Sequence, residues 1–154
     1  MSSNIDKIIN NFLLSDNKGE YLMGFKRELQ EAHELYSKGK FKEALSIYDE
    51  VFYTVSDPSI ELIKEYATCL QERLRYSESM TLIDRVLREN PSDTDMLMNY
   101  CICLGKQNRY EEALNKYESI LKIDENFKKQ VGYYAYLLER TGFDQKACLL
   151  YTSP

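Results

Sequence analysis

The sequence of 154 residues contains no tryptophan, one histidine, three prolines and six glycines. So few glycines and prolines exclude a loop-rich β protein, which needs these residues at its many turns. No apolar run approaches the roughly 20 residues of a transmembrane helix, and no segment has the pattern of a signal peptide. The net charge of −5 argues against a nucleic-acid or anionic-membrane partner, because basic residues bind both. We therefore expect a soluble, cytoplasmic protein.

The sequence motifs of catalytic sites are also missing. His33 is the only histidine, and it lies among the glutamates and glutamines of a polar helix segment. No glycine-rich phosphate loop, nucleophile elbow or paired-histidine metal motif occurs. Carboxylates such as Glu111 and Glu112 follow the polar faces of predicted helices, whereas acid–base catalysis needs carboxylates in apolar surroundings. We therefore predict no enzymatic activity, no cofactor and no bound metal.

The four cysteines are expected to be reduced and buried. They are Cys69, Cys101, Cys103 and Cys148. Cys101 and Cys103 are two residues apart, which on a helix directs them to different sides and disfavours a disulfide or a zinc pair. Free cysteine is among the most often buried residue types.

What the sequence does contain is a pattern that recurs four times. A small residue stands at Ala44, Ser79, Ala113 and Ala147, with spacings of 35, 34 and 34 residues. An aromatic residue precedes the first three of them by three positions, at Phe41, Tyr76 and Tyr110. A second small residue stands twelve positions upstream, at Ala32, Ala67, Cys101 and Ala135. Small residues at such regular positions indicate closely packed helix pairs with amphipathic stripes.

This pattern resembles the tetratricopeptide repeat (TPR) family, whose period is about 34 residues. The resemblance covers residues 25 to 151, although the family's tryptophan position holds Glu28, Ile63, Leu97 and Val131. It implies an all-α fold, a right-handed superhelical solenoid of antiparallel helix pairs. We expect repeats at 25–59, 60–93, 94–127 and, incomplete, 128–151. Gly39 and Gly142 are expected to end first helices in a left-handed conformation, and the segments 56–59 and 90–93 to form turns that end in N-cap residues.

Both ends of the chain differ from the repeats. Residues 1–24 contain a short helix with one apolar face, which we expect to cap the first repeat or, alternatively, to enter the binding groove as a ligand mimic. The fourth repeat stops inside its second helix, so self-association through its open face is expected. Residues 148–154 match the translated transposase end of a common sequencing-library adapter. We therefore expect the native sequence to diverge near Ala147 and the chain to be part of a longer protein.

The resemblance also implies a concave groove, lined by the first helices, that holds an extended peptide or a partner helix. The residues expected to line it are Lys26, Leu29, Gln30, His33, Lys64, Glu65, Thr68, Gln71, Met98, Asn99, Ile102, Lys129, Tyr133 and Tyr136. One TPR sub-family binds a terminal carboxylate there. Lys64, Asn99 and Lys129 match that clamp, but Thr68 and Tyr133 replace its second asparagine and its arginine, so we expect ordinary surface residues.

Three functions remain open at this stage. The favoured one is a protein-interaction module or scaffold that binds a peptide or helix of a partner protein. The first alternative is a regulatory or docking domain of a larger enzyme, such as a glycosyltransferase or a kinase. The second is a secretion-type chaperone. The residues that specify a repeat fold do not identify its ligand.

Overall fold

Seven helices account for most of the residues that the computed structural model describes, which are 19–52, 54, 58–127 and 131–142. For residues 19–25 only the backbone is described. In chain order the helices are α1 (Gly19–Ser37), α2 (Phe41–Phe52), α3 (Ile60–Glu72), α4 (Tyr76–Glu89), α5 (Thr94–Lys106), α6 (Tyr110–Ile123) and α7 (Val131–Arg140). The chain divides into two compact units, Met1–Leu82 and Ile83–Pro154, and the boundary lies within α4.

In unit 1, α1 packs against α2, and α3 packs against α2. Ala32 of α1 and Ala44 of α2 are both 0% exposed, which is the expected position of small residues between close helices. Leu45, Tyr48 and Val51 continue the buried side of α2. Each such large side chain contributes about 1.5–3 kcal/mol when it is fully buried, so the predicted stripe of α2 is the core of this unit.

In unit 2, α5 packs against α6, and α6 packs against α7. Cys101 of α5, Ala113 of α6 and Ala135 of α7 are each 0% exposed. Tyr117 of α6 stacks on Tyr134 of α7, with ring centroids 4.5 Å apart. The predicted small positions that the structure describes therefore lie in the cores of the two units, whereas Ala147 lies outside the described residues.

Two of the small positions are polar, and each of them forms a buried hydrogen bond across its helix pair. Ser79 Oγ of α4 donates to the carbonyl oxygen of Ala67 of α3 over 2.7 Å. Cys101 Sγ of α5 donates to the carbonyl oxygen of Ala113 of α6 over 3.1 Å. A buried hydroxyl needs such a partner, and a helix carbonyl can accept a second bond. Serine and cysteine thus replace alanine without an unsatisfied group.

The turn that follows the first helix of each repeat (α1, α3, α5 and α7) contains one residue whose φ lies in the left-handed region. These residues are Gly39 (φ 72°), Leu74 (φ 64°), Asn108 (φ 61°) and Gly142 (φ 89°). In the first three turns the next amide donates to the carbonyl five residues earlier, as from Arg75 to Leu70 over 2.8 Å. This is the Schellman bond that ends a helix. The prediction for Gly39 and Gly142 is confirmed, and the same turn also forms around Asn108, which tolerates this conformation, and Leu74, which disfavours it.

The predicted N-caps are present at two helices. Ser59 Oγ accepts from the amide of Leu62 over 3.3 Å at the start of α3. Asp93 Oδ1 accepts from the amide of Met96 over 3.1 Å at the start of α5. Each side chain satisfies an amide that has no partner inside its helix.

The remaining sequence expectations meet the structure only in part. Cys69, Cys101 and Cys103 are buried free thiols, as predicted, whereas Cys148 lies outside the described residues. Helix α1 begins at Gly19, upstream of the repeat boundary expected at residue 25. The predicted short helix in residues 1–18, the last helix of the fourth repeat and the tail 148–154 also lie outside the described residues.

Candidate partner-binding faces

Most of the predicted groove residues of unit 1 lie on α1 and α3 with part of their surface open to solvent. Lys26 and Gln30 are exposed, and His33, Lys64 and Thr68 are half-buried. Helical spacing places Lys64, Thr68 and Gln71 along one side of α3, because residues three and four apart are neighbours on a helix. We define the first-helix face as Lys26, Gln30, His33, Lys64, Thr68 and Gln71.

Beneath this face, one carboxylate connects three helices. His33 Nδ1 of α1 lies 2.8 Å from Glu65 Oε1 of α3. The hydroxyl of Tyr48, on α2, donates to the other oxygen of the same carboxylate. Burial, followed by the charge of Glu65, raises the pKa of Tyr48 well above its ordinary value. Glu65 is therefore committed to holding α1, α2 and α3 together.

Tyr36 and Thr68 form a second link between α1 and α3. Their side chains are hydrogen-bonded, and Thr68 Oγ1 also lies 2.9 Å from the carbonyl oxygen of Lys64. Burial raises the pKa of Tyr36, an effect that outweighs the opposing interaction with the Thr68 side chain. The hydroxyl of Thr68 is thus already bound to groups of unit 1.

Gln71 differs from its neighbours on this face because its side-chain oxygen has no hydrogen-bond partner among the described residues. Gln71 Oε1 is buried, and it forms no hydrogen bond to any described residue. A buried acceptor without a donor costs about 1–3 kcal/mol. Native structures tolerate few such groups, so this oxygen distinguishes Gln71 from the other residues of the face.

In unit 2 the predicted residues Tyr133 and Tyr136 belong to a cluster that we call the tyrosine patch, defined as Tyr110, Tyr133, Tyr136 and Arg140. The rings of Tyr133 and Tyr136 stack with centroids 5.8 Å apart, and those of Tyr110 and Tyr136 meet edge to face at 6.0 Å. The guanidinium of Arg140 lies 5.3 Å from the Tyr136 ring and 5.8 Å from the Tyr110 ring. The contact with the Tyr110 hydroxyl and the charge of Arg140 lower the pKa of Tyr136.

Gly105 of α5 makes room for the tyrosine patch. A methyl group at this position would overlap the hydroxyl of Tyr133 and would lie 3.7 Å from Leu137 Cδ2. The same hydroxyl lies 3.4 Å from the carbonyl oxygen of Cys101. The absence of a side chain at Gly105 therefore decides where the Tyr133 ring lies.

Two of the predicted groove residues belong to the core instead. Leu29 and Met98 are each only 3% exposed, because apolar side chains at this repeat position pack inward. Asn99 and Ile102 are half-buried on α5. Lys129 lies outside the described residues, so the carboxylate clamp of Lys64, Asn99 and Lys129 stays untested.

Sequence reasoning missed three residues that contribute to these faces: Tyr36, Tyr110 and Arg140. The repeat pattern includes Tyr110 only as the aromatic residue that precedes Ala113 by three positions. Tyr48 lies in the core, and its hydroxyl donates a hydrogen bond to Glu65. The sequence signal that could have identified the tyrosines is that these positions hold tyrosine and not phenylalanine. A buried phenol usually has a hydrogen-bond partner.

Within the described ranges, no group of three or more His, Cys, Asp and Glu side chains could hold a metal ion. None of the helices described is long and apolar enough to cross a membrane.

Solved structures similar to this chain are TPR proteins. MamA from Desulfovibrio magneticus RS-1 aligns with a TM-score of 0.72 at 12% identity, covering 98% of this chain and 91% of that chain. YrrB, described as a TPR protein with an unusual peptide-binding site, aligns with a TM-score of 0.69 at 18% identity over 93% and 80% of the two chains. The second TPR domain of human RPAP3, solved with an HSP70 peptide, aligns at 0.60 and 14% identity over 71% and 91%. These likenesses confirm an all-α, TPR-like solenoid fold.

No curated protein sequence matches the chain significantly. The family model described as coatomer epsilon subunit matches residues 34–144. This range begins in α1 and ends just after α7, so it contains six complete helices and parts of both units. Because the match covers well over half of the sequence, the chain belongs to the coatomer epsilon subunit family.

Proposed function

We propose that this chain is a binding subunit that holds an extended segment or a helix of a partner protein against its first-helix face. The proposal rests on Gln71 Oε1, which is buried and has no hydrogen-bond partner among the described residues. A polypeptide lying along α3 would supply a backbone N–H to this oxygen, and main-chain hydrogen bonds are a common source of affinity in peptide recognition. Such a bond removes the cost of the unsatisfied acceptor.

The remainder of the face suits a polypeptide rather than a small metabolite. On α1, Lys26 offers an exposed cation and Gln30 an exposed amide. Glu65 and Tyr48 are already bound to each other beneath them, which fixes the platform before a partner arrives. A rigid platform lowers the entropy that binding would otherwise cost.

The comparisons support the same class of function. The TPR-like fold is that of protein-interaction scaffolds, and two solved TPR structures are described as binding peptides. The family is described as a subunit of coatomer. We infer that the partner is another protein of a multi-subunit coat-type assembly. No feature of the described residues favours a docking domain of an enzyme or a secretion-type chaperone.

Site-specific photo-crosslinking in cells tests this proposal. A benzophenone amino acid is placed at Lys64 or at Gln30, on the first-helix face, and at Ser46 or Lys42, which are exposed on α2. We expect a discrete protein adduct from the two first-helix positions and none from the α2 positions. Mass spectrometry of the adduct then identifies the partner.

A second variant tests whether formation of the adduct depends on Gln71 Oε1. Gln71→Leu removes the acceptor while keeping a similar volume, so it should reduce the adduct several-fold without unfolding unit 1. Equal adducts from α2 and from the first-helix face would reject the proposal, and so would an adduct that Gln71→Leu leaves unchanged.

A further inference from the structure

A cavity of about 230 Å³ lies on a different side of α3 from the first-helix face. It is lined by Phe52, Tyr66, Leu70, Glu78, Thr81 and Leu82. Tyr66 and Leu70 differ by roughly half a turn in direction from Lys64 and Thr68, because successive helix residues are rotated by about 100°. The predicted groove and this cavity are therefore separate surfaces of unit 1.

The walls of the cavity are mostly carbon. Leu70 is 1% exposed, Tyr66 2% and Leu82 9%. The ring of Phe52 tilts against the ring of Tyr66 with centroids 4.9 Å apart. The hydroxyl of Thr81 donates to the carbonyl oxygen of Ser77 over 3.0 Å, so it does not require a partner in the cavity. An apolar cavity of about 150 Å³ is large enough for benzene, so this one accommodates a leucine or phenylalanine side chain.

The edge of the cavity carries an excess of negative charge. Arg75 binds Glu78 through two hydrogen bonds of 2.8 and 2.6 Å, and it binds Asp49 Oδ2 over 2.7 Å. Tyr66 donates its hydroxyl to the other oxygen of Asp49. One guanidinium thus faces two carboxylates, and the side chains of Glu78 and Asp49 are 49% and 33% exposed. A cation on a binding partner would find a complementary charge there.

Unit 2 contains a cavity of about 330 Å³ at the equivalent repeat position. Five of its lining residues, Tyr100, Leu104, Glu112, Asn115 and Lys116, follow 34 residues after lining residues of the first cavity. Lys116 replaces Leu82, and its ammonium lies 4.6 Å from the centre of the Tyr100 ring. The repeat therefore contains an equivalent cavity in each unit. The residue at position 82 or 116 determines whether an apolar side chain or a cation lies against the tyrosine ring.

We propose that the cavity in unit 1 is a second docking site, which receives one apolar side chain of a partner polypeptide next to a basic residue that pairs with Glu78 and Asp49. The apolar side chain would bury itself against Tyr66, Leu70 and Leu82. This pairing selects among partners, because an acidic residue at the same place in a partner would be repelled by the carboxylates of Glu78 and Asp49.

The test uses acetylated and amidated peptides in which one phenylalanine is flanked by lysines, by glutamates or by neutral residues. Titrations are followed by NMR of the leucine methyl groups and the tyrosine rings. We expect the lysine-flanked peptide to shift Leu70, Leu82 and Tyr66, and to bind about tenfold more weakly when its phenylalanine is replaced by alanine. The glutamate-flanked peptide should bind most weakly of the three.

Variants of the chain supply the matched controls. Leu82→Lys copies the residue of the second cavity and should abolish the shifts, while Lys116→Leu should leave binding at the first cavity unchanged. Thr81→Phe blocks the opening from an exposed position, so it remains informative if Leu82→Lys fails to fold. Glu78→Gln should weaken the lysine-flanked peptide and leave the neutral peptide unaffected.

Two results would overturn the proposal: binding that survives both Leu82→Lys and Thr81→Phe, or peptide-induced shifts that avoid the lining residues. Equal binding of the lysine-flanked and glutamate-flanked peptides would overturn its charge selectivity. None of these results depends on the crosslinking at Lys64 and Gln30, so the two docking surfaces succeed or fail separately.

Discussion

At the scale of single residues, the turn after the first helix of each repeat requires the same left-handed backbone conformation, although the residues there have different side chains. Gly39 and Gly142 adopt positive φ without a steric penalty, whereas Leu74 adopts φ 64° with a branched side chain that is 71% exposed. Asparagine, found at position 108, tolerates this region better than leucine does. Leu74 is therefore the most strained of the four turn residues.

We predict that Leu74→Gly stabilises the protein by about 0.5–1 kcal/mol, because removal of the left-handed strain exceeds the entropy lost by glycine. The matched variant Gly39→Ala should destabilise by about 1 kcal/mol, since nothing lies within 4 Å of an added methyl group and only the backbone is strained. Urea denaturation at 25 °C measures both free energies of unfolding. A destabilised Leu74→Gly protein would mean that the exposed leucine makes a contact that outweighs its strain.

Gly105 and Tyr133 offer a second prediction at this scale. Gly105→Ala should destabilise unit 2 by about 1–3 kcal/mol, because the new methyl group overlaps the Tyr133 hydroxyl and the packed region has to shift. Tyr133→Phe removes that hydroxyl, so the double variant should recover a large part of the loss. A double-mutant cycle measures the coupling, and strictly additive effects would show that Tyr133 is not what Gly105 accommodates.

At the scale of helices, the fold depends on small residues where the helices of a pair approach each other. Ala44 is 0% exposed on α2, whereas Ser46, two residues later on the same helix, is exposed. The hydrogen bonds of Ser79 and Cys101 show that the helices approach closely enough for a side chain on one to reach a carbonyl on the other. A larger side chain at these positions has no space to occupy.

We predict that Ala44→Leu destabilises the α1–α2 pair by about 1–3 kcal/mol through overpacking. Ser46→Leu adds the same side chain on the exposed side of α2 and should change the free energy of unfolding by less than about 0.5 kcal/mol. Circular dichroism during urea titration compares the two variants. Similar losses would indicate that helix propensity, rather than packing, explains the effect.

At the scale of the whole molecule, buried thiols and phenols make stability depend on alkaline pH. Burial raises the pKa of Cys101 from 9.0 to about 12, and the pKa of Tyr117 from 10.0 to about 12. In both cases the unfolded chain loses its proton first, so the contribution of these two groups to the free energy of unfolding is constant below about pH 9 and falls as the pH rises towards 12. Each such group contributes a slope of about 1.4 kcal/mol per pH unit.

Cys101→Ala tests this pH dependence, because alanine is the residue at the equivalent positions 32, 67 and 135. We expect the fall in stability between pH 9 and 10.5 to become shallower by up to about 1.4 kcal/mol per pH unit. Chemical denaturation of both proteins at several pH values gives the two slopes. Parallel profiles would show that the Cys101 thiol keeps an ordinary pKa in the folded chain.

Both candidate faces were only partly predictable from the sequence, and the reason lies in side-chain direction. The repeat register assigned His33, Lys64 and Thr68 to the groove, and all three are half-buried on α1 and α3. Their part in partner binding stays a prediction. The register also placed Leu29 and Met98 in the groove, although both are buried. It did not anticipate the unpartnered oxygen of Gln71 or the cavity beside Leu82, since both depend on atoms from several helices.

The sequence by itself determined the helices, their pairing and the positions of the small buried residues, because a spacing of about 34 residues between alanines, serines and cysteines already specifies where helices pack. It also determined two of the four left-handed turns through Gly39 and Gly142. Only the tertiary structure decided that Glu65 is bound by His33 and Tyr48, that Gln71 Oε1 lacks a donor among the described residues and that an apolar cavity lies beside Leu82. A local pattern fixes backbone geometry, but the partner of a polar atom depends on residues that only the packed fold brings within hydrogen-bond distance.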